Sequence, residues 1–553
     1  MPRRQNRVIA LANRKMSTRH AALILAATTL LTSLLGMFRD RLLNSYYLDT
    51  YPTGIDAYTV AFIIPDFMFS ILVSGALSVT FIPVFNQLRA DRRSNDDRRA
   101  WDLASSMINF MCLVGAGISL LIMIFAEPLI NHVVGPHLPE ASRALAASLM
   151  RVIAINPFLF SISGVLSSIQ QATGRYVFYA IAPALYNIGI IIGTLFFTNG
   201  ITIFGWQIFE GGIMGVALGV LLGAMAQLLV SALGVIGLGF DYKFQIDWKN
   251  QGFRKVLRIF PARSMDQGID YMTSLVETRL ASGMAPGTIR SYNQAFGLHN
   301  MPINLIGVSI SNAAFSSMTE KLARDQTGQF KQEVQRVLKA IIFIAAPVTV
   351  ITYFTRGYVV SFIKNSGNAL IATLLGHLVI AIFCRAIYHI LARTFYAKQD
   401  TKTPLISSII AMAVDIVFAV FFIRKLGMGV EALAIAQTIS AIVESGILFV
   451  VLVKQNRNLI DRDFVISFIK TIAISFVVAV VTYTLVILIP LTRADNSFFS
   501  VFPKFTFICA ISLSVYLLLS YLLKMEEARA IIRRVKSLLF RSNVVTKNGA
   551  KRG

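Results

Sequence analysis

The amino-acid sequence predicts an all-α polytopic membrane protein: about 14 transmembrane helices, arranged as two parallel-repeat six-helix lobes plus two C-terminal helices. Three observations predict it. Of 553 residues, 55% are hydrophobic and only 14% charged, and the mean hydropathy is +0.65. Apolar runs long enough to cross a bilayer as helices recur along the whole chain, and they are continuous rather than alternating, which excludes a transmembrane barrel. One pattern also occurs twice, at residues 57–91 and 291–325, with a constant offset of 234. That offset pairs Tyr58 with Tyr292, Ala61 with Ala295, Phe62 with Phe296, Phe81 with Phe315, Leu88 with Leu322 and Asp91 with Asp325.

The spans fall near 21–41, 57–84, 104–126, 144–168, 177–198, 212–239, 257–280, 290–317, 338–355, 368–392, 403–423, 429–453, 465–490 and 502–523. The first follows a basic N-terminus, as in a signal peptide. It runs on into GMFRDR with no small-residue cleavage site, so it reads as a retained span. The net charge of +24 is unevenly spread. Of the Lys and Arg residues, 37 gather at the N-tail, the C-tail and alternate loops, against 11 in the other loops and helix ends. That asymmetry is the positive-inside rule and predicts a multi-pass bacterial cytoplasmic-membrane protein with both termini cytoplasmic. It also removes nucleic acid as the reason for the basic balance. Cys112, Cys384 and Cys509 all lie in apolar runs and offer neither a disulfide framework nor zinc spacing.

A second echo joins 215–227 to 429–441. Six spans separate corresponding helices, so both copies keep one orientation, as in parallel repeats. The expected organisation is a basic N-tail (1–20), an N-lobe (21–240), a cytoplasmic linker (241–256), a C-lobe (257–455), two further spans (464–523) and a tail (524–553). In that tail Ile531, Val535, Leu538 and Leu539 share one face amid basic residues, which suits an anionic leaflet surface.

The first helix of the second lobe is oddly polar. Arg263, Asp266, Asp270 and Glu277 recur at steps of three, four and seven, and so share one helix face. A charge in hydrocarbon costs roughly 2.5–3.5 kcal/mol on insertion scales, so such a stripe must meet a partner or a wet cavity. Its counterpart, the first span, carries Arg39, Asp40 and Arg41. The second span adds Asp56 and Asp66, and Pro65 and Pro302 interrupt repeat-equivalent helices, as where freed backbone lines water or a site. No Walker A, GxSxG or HExxH motif is present, and the histidines lack ligand spacing, although His389 follows Arg385 by one helical turn. Neither a primary pump nor an enzyme is expected, which leaves transport by alternating access. Guanidinium groups at Arg39, Arg41 and Arg263 suit phosphate or carboxylate. Asp56, Asp66, Asp266, Asp270 and Glu277 either neutralise them or take a cation, and mutual interhelical salt bridges are the alternative to cavity lining.

At these residues the chain resembles the MurJ (MviN) family of lipid II flippases, within the multidrug/oligosaccharidyl-lipid/polysaccharide exporter superfamily. The resemblance is carried by TSLLGMFRD at 32–40, DAYTVAFIIPDFM at 56–68, SGALSVTFIPVF at 74–85, GVALGVLLGAMAQLL at 215–229 and, most specifically, FYAKQDTKTPL at 395–405. It covers spans 1–12 and implies a two-lobed carrier that takes undecaprenyl-pyrophosphate-linked peptidoglycan precursor from the inner to the outer leaflet. By position, Arg39 would contact pyrophosphate, with Asp40 or Asp56 as gate partners. The substrate-binding set on this reading is Arg39, Asp40, Arg41, Asp56, Arg263, Asp266 and Asp270. A sodium site like that of some members would fall on Glu277, Asp415 and Thr438. No cofactor or metal is expected. Coupling would come from the membrane potential or a monovalent cation, and the partners are the membrane, the lipid-linked precursor and the cell-wall synthesis machinery.

The chain departs from the family pattern where arginines are expected at Ser33, Phe69 and Gly297 and an acid at Asn300. Arg263, which the family pattern does not contain, is a candidate replacement charge on the seventh helix, and whether it fills that role stays open. Three rival readings stay open: a flippase for another polyprenyl-linked oligosaccharide, a cation-coupled drug exporter, and a non-transporting pseudo-flippase.

Overall fold

The structure, a computed structural model, describes residues 18–74, 76–90, 97–203, 206–456, 459–492 and 494–529. The basic N-tail before residue 18 and the amphipathic stripe beyond 529 lie outside the described residues. In chain order the helices of the first half are α1 (Thr18–Leu43), α2 (Pro52–Phe69), α3 (Ala76–Ala90), α4 (Asp97–Pro128), α5 (Glu140–Ile153), α6 (Asn156–Ala172), α7 (Val177–Ile192) and α8 (Ile213–Leu233). They continue with α9 (Gln251–Ala281), α10 (Thr288–Pro302), α11 (Ser309–Ala323), α12 (Thr327–Ile363), α13 (Ala369–Ala397), α14 (Lys402–Leu426), α15 (Glu431–Gln455), α16 (Arg462–Leu488) and α17 (Phe498–Leu522). A short hairpin, β1 (Ile201–Ile203) and β2 (Trp206–Phe209), joins α7 to α8 and was not foreseen.

The ends are set by local chemistry. Asn250 caps α9 by accepting from the Phe253 amide at 3.1 Å, and Asn368 and Asp461 cap α13 and α16 in the same way. Gly427, at φ 63°, closes α14 in the left-handed conformation that a residue with a Cβ resists. Within the repeat, α2 and α10 each end in a wide π-type turn, Ser70–Ser74 and Ile303–Val308, starting 233 residues apart. Each turn follows a proline, Pro65 or Pro302, which removes an amide from the helical ladder. The broken helices expected from the sequence are therefore broken, at nearly equivalent places.

Eleven of the described helical segments are long and apolar enough to cross a membrane.

The chain divides into two compact units, residues 1–290 and 291–553. In the first, Phe81, Phe85, Trp101, Met107, Met111 and Phe253 form a fully or nearly fully buried core. Phe253 and Val256, both at 0% exposure, sit on the opening turns of α9. They explain why this helix, which the repeat makes the start of the second half, packs with α3 and the Ser70–Ser74 turn of the first unit. Helices α7 and α8 cross unusually closely: a Cβ on Gly189 would lie 2.3 Å from the Gly223 Cα, and one on Gly219 2.6 Å from the Gly193 Cα. In the second unit, Phe330, Ile341, Phe395 and Leu448 anchor a core shared by α12, α13 and α15. The last two helices dock on α12, where the Tyr516 hydroxyl donates to the Phe343 carbonyl at 2.7 Å.

Candidate functional site

The charged end of α1 organises a polar cluster in the first unit. Arg39 extends its guanidinium across the adjacent Asp40, with Nη2 at 3.1 and 3.2 Å from the two carboxylate oxygens and Nε at 3.3 Å from Oδ1. Its Nη1 donates to Asn187 Oδ1 on α7 at 2.9 Å. Asn187 in turn donates to the Thr32 carbonyl on α1 at 3.3 Å, so α7 fixes both the helix and its arginine. The same Asp40 oxygen accepts from Arg290 Nη2 at 3.1 Å, and Arg290 Nε donates to Asn44 Oδ1 at 2.9 Å. Thus one carboxylate is shared by two guanidinium groups. Arg290 is 6% exposed, whereas Arg39 and Asp40 keep 26% and 20% of their side-chain surface open. One side of the cluster is therefore dry and the other accessible.

Asp56, near the start of α2, is buried and bonded differently. Its oxygens accept from the Gly287 amide at 2.6 Å and the Arg290 amide at 2.8 Å. A carboxylate placed on the first amides of α10 satisfies donors that have no partner within that helix and lies at its positive dipole end. Asp56 and Arg290 are 234 residues apart, the repeat offset itself, so each occupies the other's place in the duplicated pattern.

Of the residues named from the sequence, Arg39 and Asp40 touch each other, and Arg290, which the sequence reading missed along with Asn187, links Asp40 through its side chain and Asp56 through its amide. Arg290 opens the span at 290–317 and reads from the sequence as one of the eleven charges of loops and helix ends. The offset was the signal that pointed to it. Arg41, on the same helix, is half-buried. Of the stripe on α9, Glu277 is 4% exposed and shares a buried face with Thr273. The helix runs through Arg263, Asp266 and Asp270, but their side chains lie outside the described residues.

In the second unit, Asp415 on α14 is buried at 1% exposure, and Thr438 on α15 donates its hydroxyl to the His377 carbonyl at 2.7 Å. Among the described residues no group of three or more His, Cys, Asp or Glu side chains could hold a metal ion. A second polar cluster lies on α13, α14 and α15. Arg385 Nη1 meets Glu444 Oε2 at 2.8 Å, Ser408 donates to Glu444 Oε1 at 2.8 Å, and the Tyr388 and Ser408 hydroxyls lie 3.2 Å apart. Sequence reading had noted Arg385 beside His389. Its ion-pair partner is instead Glu444, on another helix.

An arginine-rich cluster with one exposed side inside a helical bundle can exchange a carboxylate partner for a phosphate-bearing one, since both match the guanidinium fork. Residues 49–503 match the model of the family described as "Lipid II flippase MurJ". A protein of Thermotoga maritima named "Probable lipid II flippase MurJ" is 24% identical over 533 residues, covering 94% of this chain and 99% of its own. A Bdellovibrio bacteriovorus protein of the same name is 24% identical over 447 residues, covering 79% of this chain and 83% of its own. A solved structure titled "Lipid II flippase MurJ, inward closed conformation" is similar at a TM-score of 0.71 and 22% identity, covering 94% of this chain and 100% of that one. An inward-facing multidrug resistance MATE transporter of the MOP superfamily follows, with a TM-score of 0.63, 16% identity and coverage of 79% and 98%. At these identities the structural likeness speaks for the fold.

Proposed function

Because this chain belongs to the family of the lipid II flippase MurJ, we propose that it flips lipid II, the undecaprenyl-pyrophosphate-linked peptidoglycan precursor, from the inner to the outer leaflet of the cytoplasmic membrane by alternating access. The observation that carries the reading is the Asp40 carboxylate shared between Arg39 and Arg290. A pyrophosphate cannot enter hydrocarbon unaided, because stripping water from an ion costs several kcal/mol or more. Arg39 is the open member of the cluster, so the incoming head group would displace Asp40 from it while Arg290 keeps the carboxylate. Binding then costs no orphaned charge. The prenyl tail stays in lipid throughout.

Arg41, Arg263, Asp266 and Asp270 are assigned to the same substrate path, with Asp56 as the gate partner that releases the first amides of α10 when the carrier reopens. Glu277, Asp415 and Thr438 are assigned to a monovalent cation. The membrane potential supplies about 2.3 kcal/mol per charge per 100 mV to whichever step moves charge across the bilayer. The termini are placed in the cytoplasm by the basic loops, and the cell-wall synthesis machinery is the expected protein partner.

The test is a leaflet-resolved assay of lipid II in cells depleted of the protein. The precursor should build up on the inner leaflet, with wild-type chain restoring export and Arg39→Ala failing to do so. Build-up of a different polyprenyl-linked glycan would reassign the cargo. Unchanged leaflet distribution on depletion would leave a scaffold.

A further inference from the structure

The segment between α8 and α9 is a strap fixed along the opening turns of α4. The Lys243 amide donates to Ser105 Oγ at 3.2 Å and the Asp247 amide to Ser106 Oγ at 2.9 Å. Asn109 Nδ2 donates to the carbonyls of Lys243 and Gln245 at 2.8 and 3.0 Å, and its Oδ1 accepts from the Tyr242 hydroxyl. Lys243 pairs with Asp102 at 2.5 Å, and Arg254 Nε donates to the Trp248 carbonyl at 2.6 Å. The strap's backbone is held this way while Phe240 and Ile246 pack inward on the core. Yet Phe244 is 92% exposed, Trp248 54% and Tyr242 48%. Leaving such rings in water forfeits apolar burial that a bilayer would supply.

The depth of the strap says what covers them. The outward face of α4 turns apolar at Leu113, 66% exposed, and continues through Leu120, Leu121, Ile124 and Phe125, the face a lipid-exposed helix shows. The Trp248 ring lies 6.2 Å from that of Phe110, only three residues, or about 4.5 Å along the axis, before Leu113. That level is the membrane–water interface, where amphipathic rings gather. Exposed Lys249, Arg254, Lys255 and Arg258 follow within ten residues, on the side of the membrane that the sequence marks as basic. Asp241 and Asp247 are the strap's own acids, and Asp247 is turned back onto the Lys249 amide at 2.9 Å.

We propose that residues 240–258 form a docking surface for anionic phospholipid head groups, with Phe244 and Trp248 bedded in the interface and the following cations on the phosphates. The site is independent of the transported cargo. Its role is to hold the α8–α9 connection, and through Phe253 the start of α9, at a fixed depth.

The test uses the full chain in vesicles of phosphatidylethanolamine doped with ring-quenching brominated lipid. The Trp248 signal is taken as the difference between wild-type and Trp248→Phe protein. Brominated phosphatidylglycerol should quench it at least about twofold more than brominated phosphatidylcholine, given roughly 1 kcal/mol per cation at an anionic surface. High salt, or Lys249→Gln with Lys255→Gln and Arg258→Gln, should level the two. Equal quenching by both lipids in the wild type would overturn the head-group site. Quenching by aqueous iodide alone would overturn membrane contact altogether and leave a water-facing surface for a protein.

Discussion

The two units each hold an arginine–carboxylate cluster, and they are built on opposite principles. In the first, Asp40 is divided between Arg39 and Arg290 and the assembly keeps an open side. In the second, Arg385 faces Glu444, whose side chain is 3% exposed and whose other oxygen is held by a serine hydroxyl. The shared pair can change partners without stranding a charge. In the second cluster the carboxylate is the buried member, so taking Arg385 away strips Glu444 of an ion-pair partner in a low-dielectric bundle. Burial of the carboxylate therefore separates a site suited to exchange from one suited to holding α13, α14 and α15 together.

Breaking the closed pair should give the largest effect. Arg385→Ala, or Glu444→Ala, should cost about 3–5 kcal/mol of stability, the penalty for leaving a buried charge without its ion-pair partner. Replacing both by methionine and leucine should recover most of it. Thermal unfolding in detergent by a thiol-reactive or scattering readout measures both. If the single variants melt within a degree or two of wild type, Glu444 is better hydrated than the geometry implies and the contrast between the clusters collapses.

The open pair should behave the other way. Arg39→Ala leaves Asp40 with Arg290, so stability should fall by no more than about 1 kcal/mol, while lipid II export falls by tenfold or more, as for loss of a charge-assisted bond worth roughly 1.5–3 kcal/mol. Arg39→Lys should not restore it, because an ammonium cannot reproduce the two-pronged contact. Export by the lysine variant at wild-type levels would show that only charge matters at this position.

Much of this was legible in the sequence. The alternation of basic loops, the duplicated pattern around Pro65 and Pro302, and the charges on α1 and α9 are local or periodic signals, and chain order preserves them. Pairing across long separations is not local. Nothing near Arg385 announces Glu444, and Arg290 looks like any loop arginine until the offset of 234 sets it against Asp56. The placing of α9 also escaped the repeat. It was decided by two apolar side chains, Phe253 and Val256, finding the Phe81–Trp101 core, and tertiary packing of that kind overrides what duplication alone suggests.

Asp56 sharpens the comparison, because its donors are backbone amides rather than arginine side chains. Asp56→Asn keeps an acceptor but loses the charge at the start of α10, an expected cost of about 0.3–1 kcal/mol. Hydrogen exchange followed by mass spectrometry should show faster exchange confined to the segment from Gly287 to Arg290. Exchange that speeds up equally across both units would mean that Asp56 acts on global stability and not on that helix end.

The smallest effect belongs to a third carboxylate–cation pair, whose carboxylate lies outside the membrane spans. Asp495, in the connection between α16 and α17, receives Lys504 Nζ at 2.7 Å and the Thr492 amide and hydroxyl at 2.7 and 2.9 Å. The Lys504 ammonium, helped by the Thr492 amide, holds its carboxyl below the ordinary aspartate range. A lowered folded-state pKa stabilises the connection fully above the unfolded value of about 3.9, and that contribution fades as pH falls through the lowered value. Limited pepsin cleavage between 489 and 497 should therefore be slow near pH 4 and rise below it, and Lys504→Gln should move the rise upward in pH. Because Lys504 keeps 30% of its side-chain surface exposed against 20% for Arg385, salt should weaken this pair somewhat more than the Arg385–Glu444 pair. A salt response of equal size at both would remove burial as the property that distinguishes them.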